Sequence, residues 1–492
     1  YGSMTFIMQN STITNCGAEN GGGIYITGDM YEFSMENSTI SNCTATSSGG
    51  AIWYGGNKIT KQIWTGDVKI TGNTAGTGGG IYNAGTLTLN NCTISNNTAT
   101  TNGGGIYVAN GELIIDNTVV VDSNNASSGG GIYIASGGTA TMNGGTISSN
   151  TATGGGIYSR GNLTISGGTI SNNTADNGGG VYIYAGTAKM TGGTISNNTA
   201  TSHGGGIYSE YDLTISGGTI SGNKTKGSNG SGGGIYFNYS ISTLTISGTA
   251  KIDGNSAING GGVSIESGTM TMTGGTISNN TATNGAGIYN TSILNISGSK
   301  IESNTTSNNG DGGGIYNTGT TTIATSSIGA NKARQGAGVY NSGSFTLNNA
   351  GIGNNSTDGY SMMPAGGGIY TSNGTCKIMG GSDISFNTSS TGAGIYAYSG
   401  TLTLSGNLYI SGNYGSGLYI YSANVTIDAD SSGCPMFDTN LGDGIYFYGI
   451  GGSLKISAVH MLDSNDGDLG KGEIYASSDF TLAGDGSNID FE

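Results

Sequence analysis

The chain has 492 residues, 98 of them Gly, and a formal net charge of −15 at pH 7. With 14 Lys and Arg against 29 Asp and Glu, it lacks the clustered positive charge that binds nucleic acid or an anionic membrane. No apolar run approaches the roughly 20 residues that span a bilayer, so we expect no nucleic-acid partner and no membrane insertion.

Gly, Ser, Thr and Asn are spread evenly, without the change in composition that marks a linker. Disordered chains are rich in charge and Pro and poor in aromatic residues, whereas this chain has 2 Pro and 28 Tyr. We therefore predict one ordered domain over residues 1–492. The sequence begins with Tyr1 and shows no signal peptide, so we interpret it as a processed product or a segment of a longer chain.

Two motifs recur along the chain at a mean period of about 26 residues, which is the signature of a solenoid. The first is a Gly-rich run followed by Ile-Tyr, as in Ile24-Tyr25; with Val or Leu for Ile, and two departures from Tyr, it occurs eighteen times. The second is an apolar residue followed three positions later by Asn, as in Ile94 and Asn97, and it occurs sixteen times.

The first two units carry Cys16 and Cys43 in place of this Asn. In adjacent coils the two Cα atoms would be one strand spacing apart, about 4.8 Å, which a disulfide accepts. We predict a disulfide between them, with two stacked free thiols as the alternative.

Each unit contains three short stretches in which apolar and polar residues alternate. In the stretch 154–160, Ile157 alternates with Tyr158 and Arg160. Because the charged side chain faces water, Ile157 should point inward and Tyr158 outward. No stretch has the pattern of an amphipathic helix. The sequence thus predicts an all-β protein, a right-handed parallel β-helix of about 18 coils with three strands per coil.

The recurring Asn predicts a ladder, in which amides of successive coils hydrogen-bond to one another and to backbone groups of the turn. The ladder positions include Asn97, Asn150, Asn173, Asn198 and Asn280.

The Tyr of the first motif predicts an outer aromatic stripe. One interpretation is a surface that stacks on sugar rings or docks a partner; the other, which we favour, is a ladder of rings that stiffens one face. The stripe includes Tyr82, Tyr107, Tyr133, Tyr158, Tyr182, Tyr208 and Tyr236.

Several weaker signals complete the set of candidate sites. The stretch 462–473 has the acidic, Gly-broken composition of a calcium loop, with Asp463, Asp466 and Asp468 as the candidate ligands, although a solvated turn fits its spacing better. We therefore assign no cofactor and no metal site. Asn37 and Asn96 stand in Asn-x-Ser/Thr sequons one place before a turn or ladder position, and are candidate glycosylation sites.

Two loops exceed the repeat, at 224–231 and 356–365. Insertions on one edge are where a solenoid carries specificity, and neutral drift in a surface turn is an equal alternative.

The two motifs resemble the paired GGA[I/L/V] and FxxN repeats of chlamydial polymorphic outer-membrane proteins. Literal copies are Gly49-Gly50-Ala51-Ile52 and Phe437 to Asn440. The resemblance implies a surface-displayed protein with an adhesive or structural role.

We thus expect an extracellular, cell-surface β-solenoid without catalytic residues. Its partners would be other copies stacked end to end, or the continuation of a longer chain, together with host or matrix glycans. The alternative is a polysaccharide-binding or polysaccharide-processing β-helix enzyme, for which Glu210 and Glu266 are the nearest approach to a carboxylate pair.

Overall fold

The computed structural model describes residues 4–307, 309–357, 363–448, 452–461, 474–476, 481–482 and 489–491. These residues form an all-β parallel solenoid of about 17 turns without a helix, which confirms the predicted fold class and nearly matches the predicted number of coils. No helix long and apolar enough to cross a membrane occurs in this part of the chain.

A turn contains three short strands and, in many turns, a fourth. The strands recur in the order Ile157–Ser159, Asn162–Ile165, Thr169–Ser171 and Thr174–Asn177, and we call their equivalents the first to fourth strand columns. The fourth column, which follows the ladder Asn, was not predicted. Its Thr-Ala-Thr sequences are too short and too polar to be distinguished from a loop by alternation alone.

The chain divides into two units, of which unit 1 comprises Tyr1–Thr245 with Thr249–Lys251 and unit 2 comprises Ile246–Gly248 with Ile252–Glu492. Two strands, Ile235–Ile246 and Lys251–Asp253, contain residues of both. The single-domain prediction for residues 1–492 stays a prediction.

Unit 1 has strands in all four columns. The first column comprises Ile24–Ile26, Ile52–Tyr54, Ile81–Asn83, Ile106–Val108, Ile132–Ile134, Ile157–Ser159, Val181–Ile183 and Ile207–Ser209. The second comprises Met4–Gln9, Met30–Glu36, Ile59–Thr65, Thr86–Leu89, Glu112–Ile115, Thr139–Met142, Asn162–Ile165, Ala188–Met190 and Leu213–Ile215. The third comprises Thr12–Thr14, Thr39–Ser41, Val68–Thr71, Cys92–Ser95, Val120–Asp122, Thr146–Ser148, Thr169–Ser171, Thr194–Ser196 and Thr219–Ser221. The fourth comprises Gly17–Asn20, Thr44–Ser48, Thr74–Thr77, Thr98–Asn102, Thr174–Asn177, Thr199–His203 and Lys224–Thr225.

Unit 2 repeats this arrangement, and its strand Val263–Met272 runs through the first and second columns. The first column continues with Ile288–Asn290, Ile315–Asn317, Val339–Asn341, Ile369–Thr371, Ile395–Ala397, Leu418–Ile420, Ile445–Phe447 and Ile474–Ala476. The second continues with Ile293–Ser297, Thr320–Ala324, Ser344–Asn348, Thr375–Met379, Thr401–Ser405, Asn424–Asp428, Ser453–Ile456 and Thr481–Leu482. The third comprises Thr276–Ser278, Lys300–Glu302, Ser327–Gly329, Gly351–Gly353, Asp383–Ser385, Tyr409–Ser411, Met436–Asp438, Val459–Met461 and Ile489–Phe491. The fourth comprises Thr281–Ala282 and Thr305–Thr306.

Within each unit, equivalent strands of successive turns pair in parallel and in register. In unit 1, for example, Tyr133 pairs with Tyr158, and Tyr158 with Tyr182. In unit 2, Ile315 pairs with Val339. Each residue is therefore followed by the corresponding residue of the next turn, so that the repeat in sequence becomes a column in space.

The alternating residues separate an apolar interior from a polar surface. Ile157 is 1% exposed, as its inward parity predicts, while Arg160 lies at the surface. Burying an Ile contributes roughly 1.5–3 kcal/mol relative to leaving it exposed. A single coil has few such residues, and burial is complete only where another coil covers it.

The Gly-rich runs bring the chain from the fourth column back to the first. Gly204 opens such a run with a φ of +66°, and a Cβ there would lie 2.5 Å from the carbonyl oxygen of Ile207. A side chain at this position would therefore collide with the strand that follows it, as well as straining the backbone.

Candidate functional site

The recurring Asn side chains form continuous hydrogen-bonded ladders in the interior of each unit, as predicted. In unit 1 the side chain of Asn97 accepts at Oδ1 from the amide nitrogen and from Nδ2 of Asn73, at 3.0 and 2.9 Å. Its own Nδ2 donates to the carbonyl oxygen of Ile70 at 2.9 Å and to Oδ1 of Asn124 at 3.0 Å. The amide is thus fully satisfied although Asn97 is 0% exposed, which meets the requirement for a buried polar group.

The predicted positions Asn97, Asn150, Asn173, Asn198 and Asn280 all lie in these ladders. The unit 1 ladder comprises Asn73, Asn97, Asn124, Asn150, Asn173, Asn198 and Asn223. The unit 2 ladder comprises Asn255, Asn280, Asn304, Asn331, Asn355, Asn387, Asn413 and Asn440.

A second, shorter Asn ladder lies beside the first column in unit 2 and was missed. Nδ2 of Asn290 donates to Oδ1 of Asn317 at 2.9 Å, and Nδ2 of Asn317 donates to Oδ1 of Asn341 at 2.8 Å. The signal was present, because Ile-Tyr-Asn or Val-Tyr-Asn occurs in three successive units there.

The Tyr residues of the first column form a stack of rings along unit 1. From Tyr82 to Tyr158 the rings are nearly parallel, with centroids 5.2 Å apart from one turn to the next. The rings of Tyr182 and Tyr208 meet edge to face, with centroids 4.6 Å apart, and Tyr208 continues to Tyr236 at 5.0 Å. All seven predicted members of the stripe therefore lie in one column.

The rings are less exposed than an outer stripe implies. Their parity is as predicted, yet Tyr133 and Tyr236 are each only 6% exposed and the other five predicted members are half-buried. Each ring is covered by its neighbours in the turns before and after it. Burial accordingly raises the pKa of Tyr82, Tyr107 and Tyr158 above the usual value.

Charged side chains accompany the unit 1 column at two points. The hydroxyl of Tyr182 donates to Oε1 of Glu210 at 2.6 Å. The guanidinium of Arg160 lies over the ring of Tyr184, 5.0 Å from its centroid, in a cation–π contact. Glu210, the carboxylate considered for catalysis, is therefore held by a tyrosine of the stack.

Unit 2 carries a longer regular stack in the same position. Successive centroids are 4.6–5.3 Å apart and the planes differ by at most 13°. The column comprises Tyr289, Tyr316, Tyr340, Tyr370, Tyr396, Tyr419 and Tyr446.

Beside the end of this column runs a second one, which we call the outer tyrosine column. Its members are Tyr398, Tyr421 and Tyr448, with centroids 5.1 and 5.4 Å apart and planes within 7°. The ring centroid of Tyr398 lies 6.4 Å from that of Tyr396 and 6.2 Å from that of Tyr370. The two columns together form an aromatic surface two rings wide. The sequence signal was a Tyr two places after the first one, in Ile395–Tyr398, Leu418–Tyr421 and Ile445–Tyr448.

A groove of about 370 Å³ adjoins this double column. It is lined by Tyr370, Tyr396 and Tyr398 together with Gln335, Pro364 and Thr391. Pro364 belongs to the insertion 356–365, of which residues 358–362 lie outside the described part of the chain. One of the two long loops therefore does lie beside the tyrosines.

An ion pair lies close to the groove. Arg334, the neighbour of Gln335 in the chain, donates from Nε and Nη2 to the two carboxylate oxygens of Asp311, at 3.0 and 2.8 Å. This bidentate geometry holds both side chains and satisfies the guanidinium within the protein.

Cys16 and Cys43 occupy equivalent positions in adjacent turns, as predicted. Both are free thiols; Cys16 is exposed and Cys43 is buried. Burial raises the pKa of Cys43, and the thiols of Cys16 and Cys43 donate to the carbonyl oxygens of Thr14 and Ser41, at 3.5 and 3.4 Å. Their joining as a disulfide stays a prediction.

The remaining candidates are placed as follows. Asn37 and Asn96 are both exposed, with φ values of 43° and 56°. Their glycosylation stays a prediction. The proposed calcium ligands Asp463, Asp466 and Asp468 lie outside the described residues. Within the described ranges, no group of three or more His, Cys, Asp or Glu side chains is placed to hold a metal ion.

Comparison with known families agrees with this geometry. Residues 1–169 match the family described as a right-handed β-helix region, and residues 192–210 match the Chlamydia polymorphic membrane protein repeat. The matches support a right-handed β-helix family of the polymorphic-membrane-protein type. This confirms the predicted resemblance, and the repeat family suggests an outer-membrane or surface protein. No curated protein and no solved structure matches the chain.

Proposed function

We propose that this protein is an extracellular, cell-surface β-solenoid with an adhesive role, and that its tyrosine columns make the adhesive contact with host or matrix glycans. The surface location is supported by the match of residues 192–210 to a repeat of surface proteins. The overall acidic charge favours partners that carry little negative charge of their own.

The offset stacking of the tyrosines carries this proposal. Parallel rings in contact lie about 3.5 Å apart, whereas the centroids of Tyr316 and Tyr340 are 4.7 Å apart and those of Tyr340 and Tyr370 are 5.1 Å apart. Each ring is therefore displaced sideways from the next, and Tyr316 and Tyr340 are half-buried, although Tyr370 is only 6% exposed. A column of partly accessible rings with their hydroxyl groups offers the mixture of apolar surface and hydrogen bonding that sugars require.

The charged residues near the column also favour binding over catalysis. Oε1 of Glu210 is occupied by the hydroxyl of Tyr182 at 2.6 Å, and Glu266 is exposed. Neither arrangement is that of a buried carboxyl group held ready for proton transfer.

Binding of the purified chain to a glycan array, and to a matrix-coated surface, tests the adhesive role. We expect retention by the wild-type protein and loss of retention when tyrosines of both units are replaced by Ser, at Tyr158, Tyr182 and Tyr208 in unit 1 and at Tyr398, Tyr421 and Tyr448 in unit 2. Tyr409→Ser and Tyr414→Ser are matched controls, because these tyrosines are 39% and 54% exposed but belong to neither column. Circular dichroism and melting temperature identify any variant that fails to fold. Equal retention of folded column variants and controls would contradict the proposal.

The location is tested separately on intact cells that produce the protein. Labelling with an antibody against the chain, and cleavage by an added protease, should both succeed without permeabilising the cells. Protection of the chain until the cells are opened would exclude a surface role.

A further inference from the structure

We propose that the double tyrosine column of unit 2, together with its adjoining groove, binds an extended, uncharged β-linked glycan chain. This inference rests on the proposed adhesive function and assigns it a site and a ligand class. The site consists of the outer tyrosine column, the neighbouring rings of Tyr370 and Tyr396, and the groove residues Gln335 and Thr391.

The width of the aromatic surface distinguishes this place from the rest of unit 2. A single column, such as that from Tyr289 to Tyr340, offers only the edges and narrow strips of its rings. Where Tyr398 lies 6.4 Å from Tyr396 and 6.2 Å from Tyr370, the rings lie side by side as well as one above another. Tyr398 is 41% exposed, whereas Tyr370 and Tyr396 are only 6% and 9% exposed, so a flat apolar ligand would lie on the outer tyrosine column, with the inner rings packed behind it.

The spacing of the rings favours an extended polymer. Tyr398, Tyr421 and Tyr448 recur every 5.1–5.4 Å, because the strand spacing of the parallel sheet sets the repeat. The advance per sugar in an extended β-1,4-linked chain is close to this distance. Successive pyranose rings can therefore meet successive tyrosines, and the number of contacts grows with the length of the chain.

The uncharged lining among the described residues of the groove favours a neutral ligand. Among the described residues, the side chains that line the groove include no charged group. Arg334, next to Gln335 in the chain, is held by both carboxylate oxygens of Asp311. Burial and the neighbouring tyrosines raise the pKa of Tyr370 and Tyr396, so their phenols are protonated at neutral pH. The surface thus offers hydroxyl and amide groups, while the chain as a whole repels polyanions.

A proline-rich peptide is the competing occupant, because polyproline helices also dock on aromatic grooves. Such a peptide presents carbonyl acceptors and few donors. The groove contains Gln335, Ser390 and Thr391, each of which both donates and accepts hydrogen bonds. A polyol, which also does both, satisfies these side chains more completely.

Affinity electrophoresis of the full chain in gels that contain hydroxyethylcellulose, a soluble β-1,4-glucan, tests the inference. We expect retardation of the wild type, and about tenfold or greater weakening in the double variant Tyr398→Ser/Tyr421→Ser, because two ring contacts are removed. Tyr409→Ser/Tyr414→Ser is the matched control, since these unit 2 tyrosines are 39% and 54% exposed and belong to neither column. Gln335→Ala probes the groove without removing a ring.

The outcomes separate the two proposals. Retardation that the Tyr398/Tyr421 and Gln335 variants lose and the control keeps supports the site. Equal behaviour of all folded variants overturns it, as does a wild type that binds α-1,4-glucan or polygalacturonate equally well. Binding of a proline-rich peptide through Tyr398 and Tyr421, without binding of the glucan, also overturns it. If the chain adheres to other array glycans but not to β-glucan, this inference fails while the adhesive function stands.

Discussion

A single oxygen atom, Oδ1 of Asn198, accepts two hydrogen bonds from Asn173: one from its backbone nitrogen at 2.9 Å and one from its Nδ2 at 3.0 Å. Nδ2 of Asn173 also donates to the carbonyl oxygen of Ile147 at 3.0 Å. One amide therefore joins the backbone and side chains of neighbouring turns. The ladder thus determines the register of the strands as well as satisfying buried groups.

The variant Asn173→Ala should destabilise unit 1 by about 3 kcal/mol, because several buried groups lose their partners. The backbone nitrogen and Nδ2 of Asn150 both donate to Oδ1 of Asn173; the nitrogen would lose this acceptor, and Nδ2 would keep only the carbonyl oxygen of Val121. Hydrogen exchange at the Asn150 amide, followed by mass spectrometry, should accelerate markedly. The control is Asn172→Ser, since Ser149 has the same place and a nearly equal φ. Unchanged exchange in Asn173→Ala would contradict the role of the ladder.

Residues that immediately precede the ladder Asn adopt a left-handed backbone, and Thr439 is poorly suited to it. Its φ is 51°, while Asn354, in the same place of another turn, has 58°. A left-handed conformation costs roughly 1–2 kcal/mol for most residues but little for Asn or Gly. Thr439→Asn should therefore raise the stability of unit 2 by about 1 kcal/mol, measured by urea unfolding. The reverse change, Asn354→Thr, should lower it by a similar amount; a gain in stability there would refute this explanation.

Alkaline pH should unfold the protein through its tyrosines. Burial raises the pKa of Tyr208 and Tyr316 above the usual value of 10, and raises that of Tyr419 to about 12. Between these values and 10 the folded chain binds more protons than the unfolded chain. The associated stability is therefore complete below pH 10 and is lost as the pH rises through the folded-state values. Absorbance at 295 nm should show delayed ionisation of these rings in the native state, followed by cooperative unfolding. A titration that superimposes on that of the urea-unfolded chain would contradict the burial of the columns.

Mild oxidation should join Cys16 to Cys43 within one chain. Cys16 is exposed and lies one turn from Cys43, whereas Cys92 and Cys376 are both buried and have raised pKa values, which slows their reaction. Oxidised glutathione would accept the two electrons and two protons released as the S–S bond forms. Peptide mapping without reduction should identify the cross-linked peptides, and Cys16→Ser should abolish them. Mixed disulfides at Cys16 alone would show that the pair does not close.

The fold could be predicted from sequence because each turn repeats the same few constraints. Alternation determined that Ile157 points inward and Tyr158 outward, and the spacing of Asn97 from Ile94 predicted the ladder. These features depend on local pattern and on one period, both of which are readable from the chain. Charged residues such as Arg160 showed which of the alternating positions face water. The apolar residues alone do not show this.

The candidate site was predicted only in part, since it depends on distances between turns. The parity of Tyr133 was clear, but its 6% exposure follows from stacking between neighbouring rings, which parity does not describe. The outer column required comparison of Tyr398 with Tyr421 across units. The groove at Gln335 and Pro364 depends on the path of an inserted loop, which no periodic pattern encodes.

The exact register within unit 1 has a consequence for how such a protein changes in length. Asn173 and Asn198 are both followed by Thr-Ala, so a genetic deletion of residues 174–198 joins Asn173 to Thr199 without a foreign junction. Asn173 would then meet Asn223, and each remaining strand would gain an equivalent neighbour in place of the one removed. Unequal recombination between copies can thus lengthen or shorten this region by whole turns, whereas a deletion of half a repeat would place polar side chains in the interior.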